Sequence, residues 1–146
     1  MQIYLDMCSI QRPLDTKTQL RIAVEAEAIL GIIALCESGQ VDLMASDALV
    51  FETDQNTHPV RKRHALEVLA KATVFVQTDQ RVEERARAFQ ALGLKPLDAL
   101  HLASAVETQA DYFCTCDDRL LRRAHTADTL HTKVVSPLEL IAEVTR

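Results

Sequence analysis

The chain has 146 residues, 48% apolar and 25% charged, with only three glycines and four prolines. This composition fits one soluble globular domain over residues 1–146 and leaves little room for flexible linkers. The formal net charge of −5 argues against a protein that coats nucleic acid by bulk charge, but not against an enzyme that meets nucleic acid through bound cations.

Strand-like and helix-like segments alternate. Ile3 to Leu5 is a first buried strand, ended by Asp6. Asp15 has the look of an N-cap for a long helix running to Ser38, where Gly39 stops it. Within it, Ile29 to Leu35 is apolar all round, which predicts either full burial or a subunit interface. Val41 to Ala45 is a second strand, and Ser46 and Asp47 cap a helix from Ala48 to about Asp54. His58-Pro59 interrupts, and another helix follows to about Lys71. Thr73 to Gln77 is a third strand. Asp79 caps a helix that reaches Leu92 and is closed by Gly93. Lys95-Pro96-Leu97 opens the next helix, Tyr112 to Cys116 is a fourth strand, and Val134 and Val135 form a fifth. Ser136-Pro137 starts a last helix. The pattern predicts a three-layer α/β/α sandwich around a mostly parallel five-stranded sheet.

The N-terminus lacks a basic start followed by a long apolar stretch, and no run is long enough to span a bilayer. A cytoplasmic protein without membrane contact is expected. Cys114 and Cys116 share a strand face, and with Cys8 and Cys36 they read as reduced thiols, because no second ligand pair at zinc spacing is present.

Asp6 and Asp117 each follow an apolar strand. In a parallel sheet both emerge at the edge where α/β folds bind ligands. Asp98 lies in the first turn of its helix and Glu52 in a helix soon after a strand. Carboxylates gathered at one place repel each other and call for a hard divalent cation with oxygen ligands, Mg²⁺ or Mn²⁺. Asp118 is the alternative to Asp117 and fits better as a helix-start charge. His101, one turn on from Asp98, reads as a packing histidine.

Ile3-Tyr4-Leu5-Asp6, Ser46 followed by Glu52, Asp98-Ala99-Leu100-His101-Leu102-Ala103-Ser104-Ala105 and Thr115-Cys116-Asp117 occur in the order and spacing of PIN domains. The chain resembles that family along nearly its whole length, and the segment around Asp98 is the most specific piece. The stretch Tyr4 to Pro13 with Asp15 looks like a bacterial branch. PIN domains are metal-dependent ribonucleases, and small bacterial ones resemble VapC, the toxin of a toxin–antitoxin pair. The resemblance implies that Asp6, Glu52, Asp98 and Asp117 ligate one or two Mg²⁺ or Mn²⁺ ions, that Thr115 hydrogen-bonds a ligand from behind, and that RNA is the substrate. It also implies a small antitoxin partner. Together with the apolar helix it points to a homodimer. Many relatives carry Ser or Thr directly after the first Asp, whereas here Met7 and Cys8 follow and the hydroxyl comes at Ser9.

Substrate phosphates need cations beside the acidic residues. Two basic groups qualify, Arg61-Lys62-Arg63-His64 and Arg119 with Arg122, Arg123 and His125. Arg12, a few residues past Asp6, and Arg119, two past Asp117, are the candidate substrate contacts. The competing readings are an inert PIN-like scaffold, a stand-alone PIN nuclease, and another acidic-site α/β protein. A haloacid-dehalogenase-like phosphatase wants Asp at position 8, which is Cys8. A phosphotransfer receiver wants Lys at the end of a late strand, where Val134-Val135-Ser136 offers none.

Overall fold

Apolar runs bounded by turns build the centre of the molecule. In the computed structural model, which describes residues 1–146, five strands form one sheet: β1 (Gln2–Leu5), β2 (Asp42–Ser46), β3 (Val74–Val76), β4 (Tyr112–Cys114) and β5 (Lys133–Val135). Their order across the sheet is β3-β2-β1-β4-β5, and every pairing is parallel. The expected "mostly parallel" sheet is therefore wholly parallel. Successive residues of a strand point to opposite faces. Ile3, Tyr4 and Leu5 are all completely buried, so both faces of the sheet are covered, as an all-parallel sheet requires.

Eight helices supply the cover: α1 (Met7–Gln11), α2 (Leu20–Glu37), α3 (Asp47–Gln55), α4 (Pro59–Leu69), α5 (Gln80–Ala91), α6 (Pro96–Glu107), α7 (Asp118–Ala124) and α8 (Pro137–Val144). Most start on a side-chain cap. Asp6, Ser46, Asp79, Asp117 and Ser136 each accept a backbone N–H of the following first turn. Ser136 and Glu139 complete a capping box. Gly93, past the end of α5, has φ +100°, a conformation open to glycine and strained for other residues.

Two expectations fail near the N-terminus. The segment after Asp6 is helical at once, as α1 and a 3₁₀ turn over Arg12–Leu14, and α2 begins only at Leu20. Asp15 caps nothing there. Its carboxylate is held by Arg12 at 3.0 Å and Arg61 at 2.8 Å, and the residue before α2, Gln19, makes no side-chain cap bond. In the apolar stretch of α2, Ile29, Ile32 and Ile33 are buried, while Leu30 is about half exposed. The helix packs on α8, with Ile141 close to Gly31. Burial accounts for most of the apolar stretch, and an edge of Leu30 and Ala34 stays exposed. No helix is long and apolar enough to cross a membrane.

Candidate active site

The chain builds the sheet outward from β1 in one direction through β2 and β3, then returns to add β4 on the other side of β1. The strand order therefore reverses between β1 and β4, and the crevice beyond their carboxyl ends is where such folds bind ligands. Asp6 follows the last residue of β1, and its N–H donates to Cys114 O of β4 at 3.1 Å. Asp117 follows β4 by three residues and opens α7. β4 ends at Cys114, two residues before the expected Cys116, so Asp117 comes off a short turn that leads into α7; the topology still brings it to the same end of the sheet as Asp6.

Each of them has two duties. Oδ1 of Asp6 accepts the Ser9 N–H and the Cys8 thiol, both at 3.0 Å. Oδ1 of Asp117 accepts the N–H groups of Arg119 (2.9 Å) and Leu120 (3.2 Å). The caps use one oxygen of each carboxylate and fix its direction. Asp6 is only 4% exposed. Burial raises its pKa above the usual carboxylate range, and bonds from Thr115, Cys8 and the Ser9 N–H offset part of that. Asp98 enters from the first turn of α6. Its pKa is also raised, first by burial and then by the negative charges of Asp6 and Asp117. That repulsion places the three aspartates in one electrostatic neighbourhood.

Glu52 reaches the region from α3. Its Oε1 lies 2.7 Å from His101 Nε2. His101 Nδ1 is 2.6 Å from the Tyr4 hydroxyl, which is 2.6 Å from Ser46 Oγ. Burial holds the Tyr4 phenol above its ordinary range, so it keeps its proton. His101 is therefore no mere packing residue. It is 2% exposed and spends both ring nitrogens on this chain.

A divalent cation suits the donor set. The donors are hard, anionic oxygens, and two of the carboxyls are pushed toward protonation by burial and by their neighbours, a cost that a cation would remove. As the side chains stand, no three His, Cys, Asp or Glu residues converge into a closed ligand group. The backbone brings Asp6, Asp98 and Asp117 into one neighbourhood, and a cation held there would have to draw their side chains in.

The other expected residues divide clearly. Thr115 Oγ1 accepts the Asp117 N–H at 3.0 Å and lies 3.6 Å from the Cys8 thiol, between the two strand-end aspartates. Asp118 is bound bidentately by Arg21, at 2.7 Å for each contact, and its pKa is lowered by that guanidinium. Arg12 is 3.0 Å from both Asp15 and the buried Glu25. It is committed to an ion-pair network that continues through Arg21 to Asp118, which argues against a direct phosphate contact. Arg61 pairs with Asp15, and His64 Nε2 donates to Ile10 O at 2.8 Å, so the first basic group is partly structural. The hydroxyl of Ser9 is buried and donates to Cys114 O at 3.1 Å. It points into the strand, and the Cys8 thiol occupies the contact to Asp6. All four cysteines are free.

Arg119 lines a cleft together with Asp98, Asp117, Lys95, Arg123 and Gly93. None of its three cations makes an ion pair. Arg123 belongs to the basic group expected beside Asp117, one turn on from Arg119; Lys95 joins the cleft only because the α5–α6 corner folds against α7, and nothing in the spacing of the basic residues points to it. A Cβ on Gly93 would lie 2.2 Å from Arg123 Nη1, so the absent side chain makes room for that guanidinium. Next to Glu52 and Asp98, the residues Phe51, Pro96, Leu97 and Leu100 line an open apolar depression. Phe51 is 58% exposed.

A family model described as the PIN domain matches residues 17–126. That span contains Glu52, Asp98 and Asp117 and begins after Asp6. Among solved structures, a chain of VapBC2 from Rickettsia felis, determined bound to a DNA fragment from the promoter, superposes with a TM-score of 0.60. The identity is 10%, and the match covers 92% of this chain and 98% of that one. At that identity the likeness is one of fold. No curated protein matches the chain.

Proposed function

Because the chain belongs to the PIN domain family, whose members are nucleases, we propose that it is a Mg²⁺- or Mn²⁺-dependent endoribonuclease and the toxin of a toxin–antitoxin pair. The observation that carries the reading is the gathering of Asp6, Asp98 and Asp117 at the β1/β4 switch point, beside a cleft whose three cations have no ion-pair partner.

Asp6, Glu52, Asp98 and Asp117 would hold one or two ions. A bound divalent ion supplies positive charge for the scissile phosphate and acidity for an attacking water. The protein's own residues do the rest. Arg119, Lys95 and Arg123 bind backbone phosphates and bring the polyanion to a site that is otherwise acidic. Asp6 and Asp117 are aimed by the helices they cap. Thr115 braces the Asp117 backbone from behind. Arg21 neutralises Asp118 and keeps it out of the ligand set. Arg12 supports the site through Glu25 and Asp15 and leaves phosphate binding to the cleft.

The Rickettsia felis chain belongs to a complex, and we extend that association to this protein. The apolar depression of Phe51, Pro96, Leu97 and Leu100 borders Glu52 and Asp98. An antitoxin that covers it and places an Arg or Lys against the carboxylates would silence the nuclease in the cytoplasm. A homodimer is the second assembly expected. The competing reading, an inert binding protein, draws on the absence of a closed ligand group.

The test is cleavage of a broad RNA panel by purified protein freed of any partner. Cleavage with Mg²⁺ or Mn²⁺, abolished by EDTA and by Asp98→Asn and unsupported by Ca²⁺ alone, is expected. An intact panel under all metals would favour the inert protein.

A further inference from the structure

Glu52 is the carboxylate with the longest and freest side chain, about one-third exposed, and it comes from a helix apart from the β1/β4 crevice. Its direction is set by a buried chain of hydrogen bonds. The Leu49 N–H can only donate, and it donates to Ser46 Oγ at 3.1 Å. At the other end an ionised Glu52 can only accept. With a neutral imidazole, Nε2 must carry the proton that Glu52 accepts, and Nδ1 must then accept from the Tyr4 hydroxyl. The Tyr4 oxygen in turn accepts from the Ser46 hydroxyl. Every donor and acceptor is used once, and the order runs from the N-cap of α3 through β1 and α6 back to Glu52 on α3. Ser46 and Tyr4 are completely buried, so no water competes.

We propose that His101 is a positioning residue that holds Glu52 in its metal-binding orientation, with Tyr4 and Ser46 fixing the tautomer that lets it do so. The proposal rests on the reading of Glu52 as a metal ligand. It also joins two ligands mechanically. His101 lies three residues after Asp98 on α6, so one helix carries an aspartate and the support of the glutamate. Because Tyr4 immediately precedes Leu5 and Asp6, the same chain ties the β1 end to Glu52. Any buried imidazole needs partners on its ring nitrogens; here one partner is the carboxylate of Glu52, so satisfying the ring also fixes the direction of that carboxylate.

The experiment is calorimetric titration of the partner-free protein with Mn²⁺ alone, together with thermal unfolding of each variant. His101→Leu is expected to weaken Mn²⁺ binding by about 10–100-fold, the scale for outer-shell partners of a metal site, and Glu52→Gln, which removes the ligand itself, by at least as much. The double variant should be no weaker than Glu52→Gln alone, since His101 acts only through Glu52. His101→Gln, which restores an N–H near Nε2, should recover most of the loss. Tyr4→Phe, which keeps the ring and removes only the hydroxyl, gives a second reading if His101→Leu fails to fold, and should weaken binding while leaving the fold intact. Wild-type affinity in folded His101→Leu or Tyr4→Phe, with Glu52→Gln weakened, would overturn the proposal and spare the metal reading. Losses that add in the double variant would also overturn it. Equal affinity in wild type, Glu52→Gln and Asp98→Asn would instead sink the metal reading itself.

Discussion

A carboxyl whose pKa is raised in the fold favours folding in its protonated form. Its contribution is full below the unfolded value, about 4 for Asp, and is lost as pH rises through the raised value. Asp98 is such a group, through burial first and then through Asp6 and Asp117. At neutral pH the metal-free protein therefore carries an unrelieved cost at this residue. Asp98→Asn should raise the Tm measured in EDTA at neutral pH, by ~3 °C for each kcal/mol of burial and repulsion cost removed. The gap between variant and wild type should close as pH falls through the raised pKa. A variant no more stable than wild type at neutral pH would show that Asp98 carries no such cost from burial and its neighbours. The aspartates were the legible part of the site, because strand ends are visible as apolar runs and each run here is followed by Asp6 or, past Thr115 and Cys116, Asp117. His101 was not legible. Its partners Tyr4 and Glu52 lie 97 and 49 positions away, and no local pattern reports a bond across such a gap.

Among the elements, the corner between α5 and α6 bears most directly on substrate binding. Gly93 takes a positive φ there and leaves space for Arg123. Gly93→Ala should cost about 1–2 kcal/mol from backbone strain, read as a lower denaturation midpoint. It should also push Arg123 out of the cleft and weaken RNA binding beyond what the stability loss explains. Unchanged RNA affinity would remove Arg123 from the substrate contacts. At the start of α3, Ser46→Ala removes a cap and opens the chain behind Tyr4, and about 1–3 kcal/mol of stability should be lost on chemical unfolding. The caps at Ser46, Asp79 and Ser136 were readable because they act within one turn. Asp15 offered the same local signal and misled. Arg12 and Arg61 take its carboxylate instead, and Arg61 comes from α4, far along the chain. The short helix α1 is not legible in the sequence for a related reason. Five residues carry too little periodicity to stand out, and its cap, Asp6, already had a role as the end of a strand.

At the scale of the whole molecule, strand order does what no single residue can. Alternating strands and helices predicted a parallel sheet, but only the return of the chain from β3 to β4 puts the reversal beside β1 and so aligns Asp6 with Asp117. The apolar depression around Phe51 is the surface expected to meet a partner. Phe51→Asp should reduce binding of a co-expressed antitoxin, measured by co-purification, while RNA cleavage by the free protein persists. Whether the gathered carboxylates cleave RNA with a metal decides what this molecule does. The most direct measurement is single-turnover cleavage of a labelled RNA in Mn²⁺ by wild type, Asp117→Asn and Asp118→Asn. Wild type should cut. Asp117→Asn should lose more than the roughly 10–100-fold typical of outer-shell changes, and Asp118→Asn, whose carboxylate belongs to Arg21, should stay within a few-fold of wild type. Loss in Asp118→Asn with activity kept in Asp117→Asn, or no cleavage by wild type at all, would contradict the proposed function.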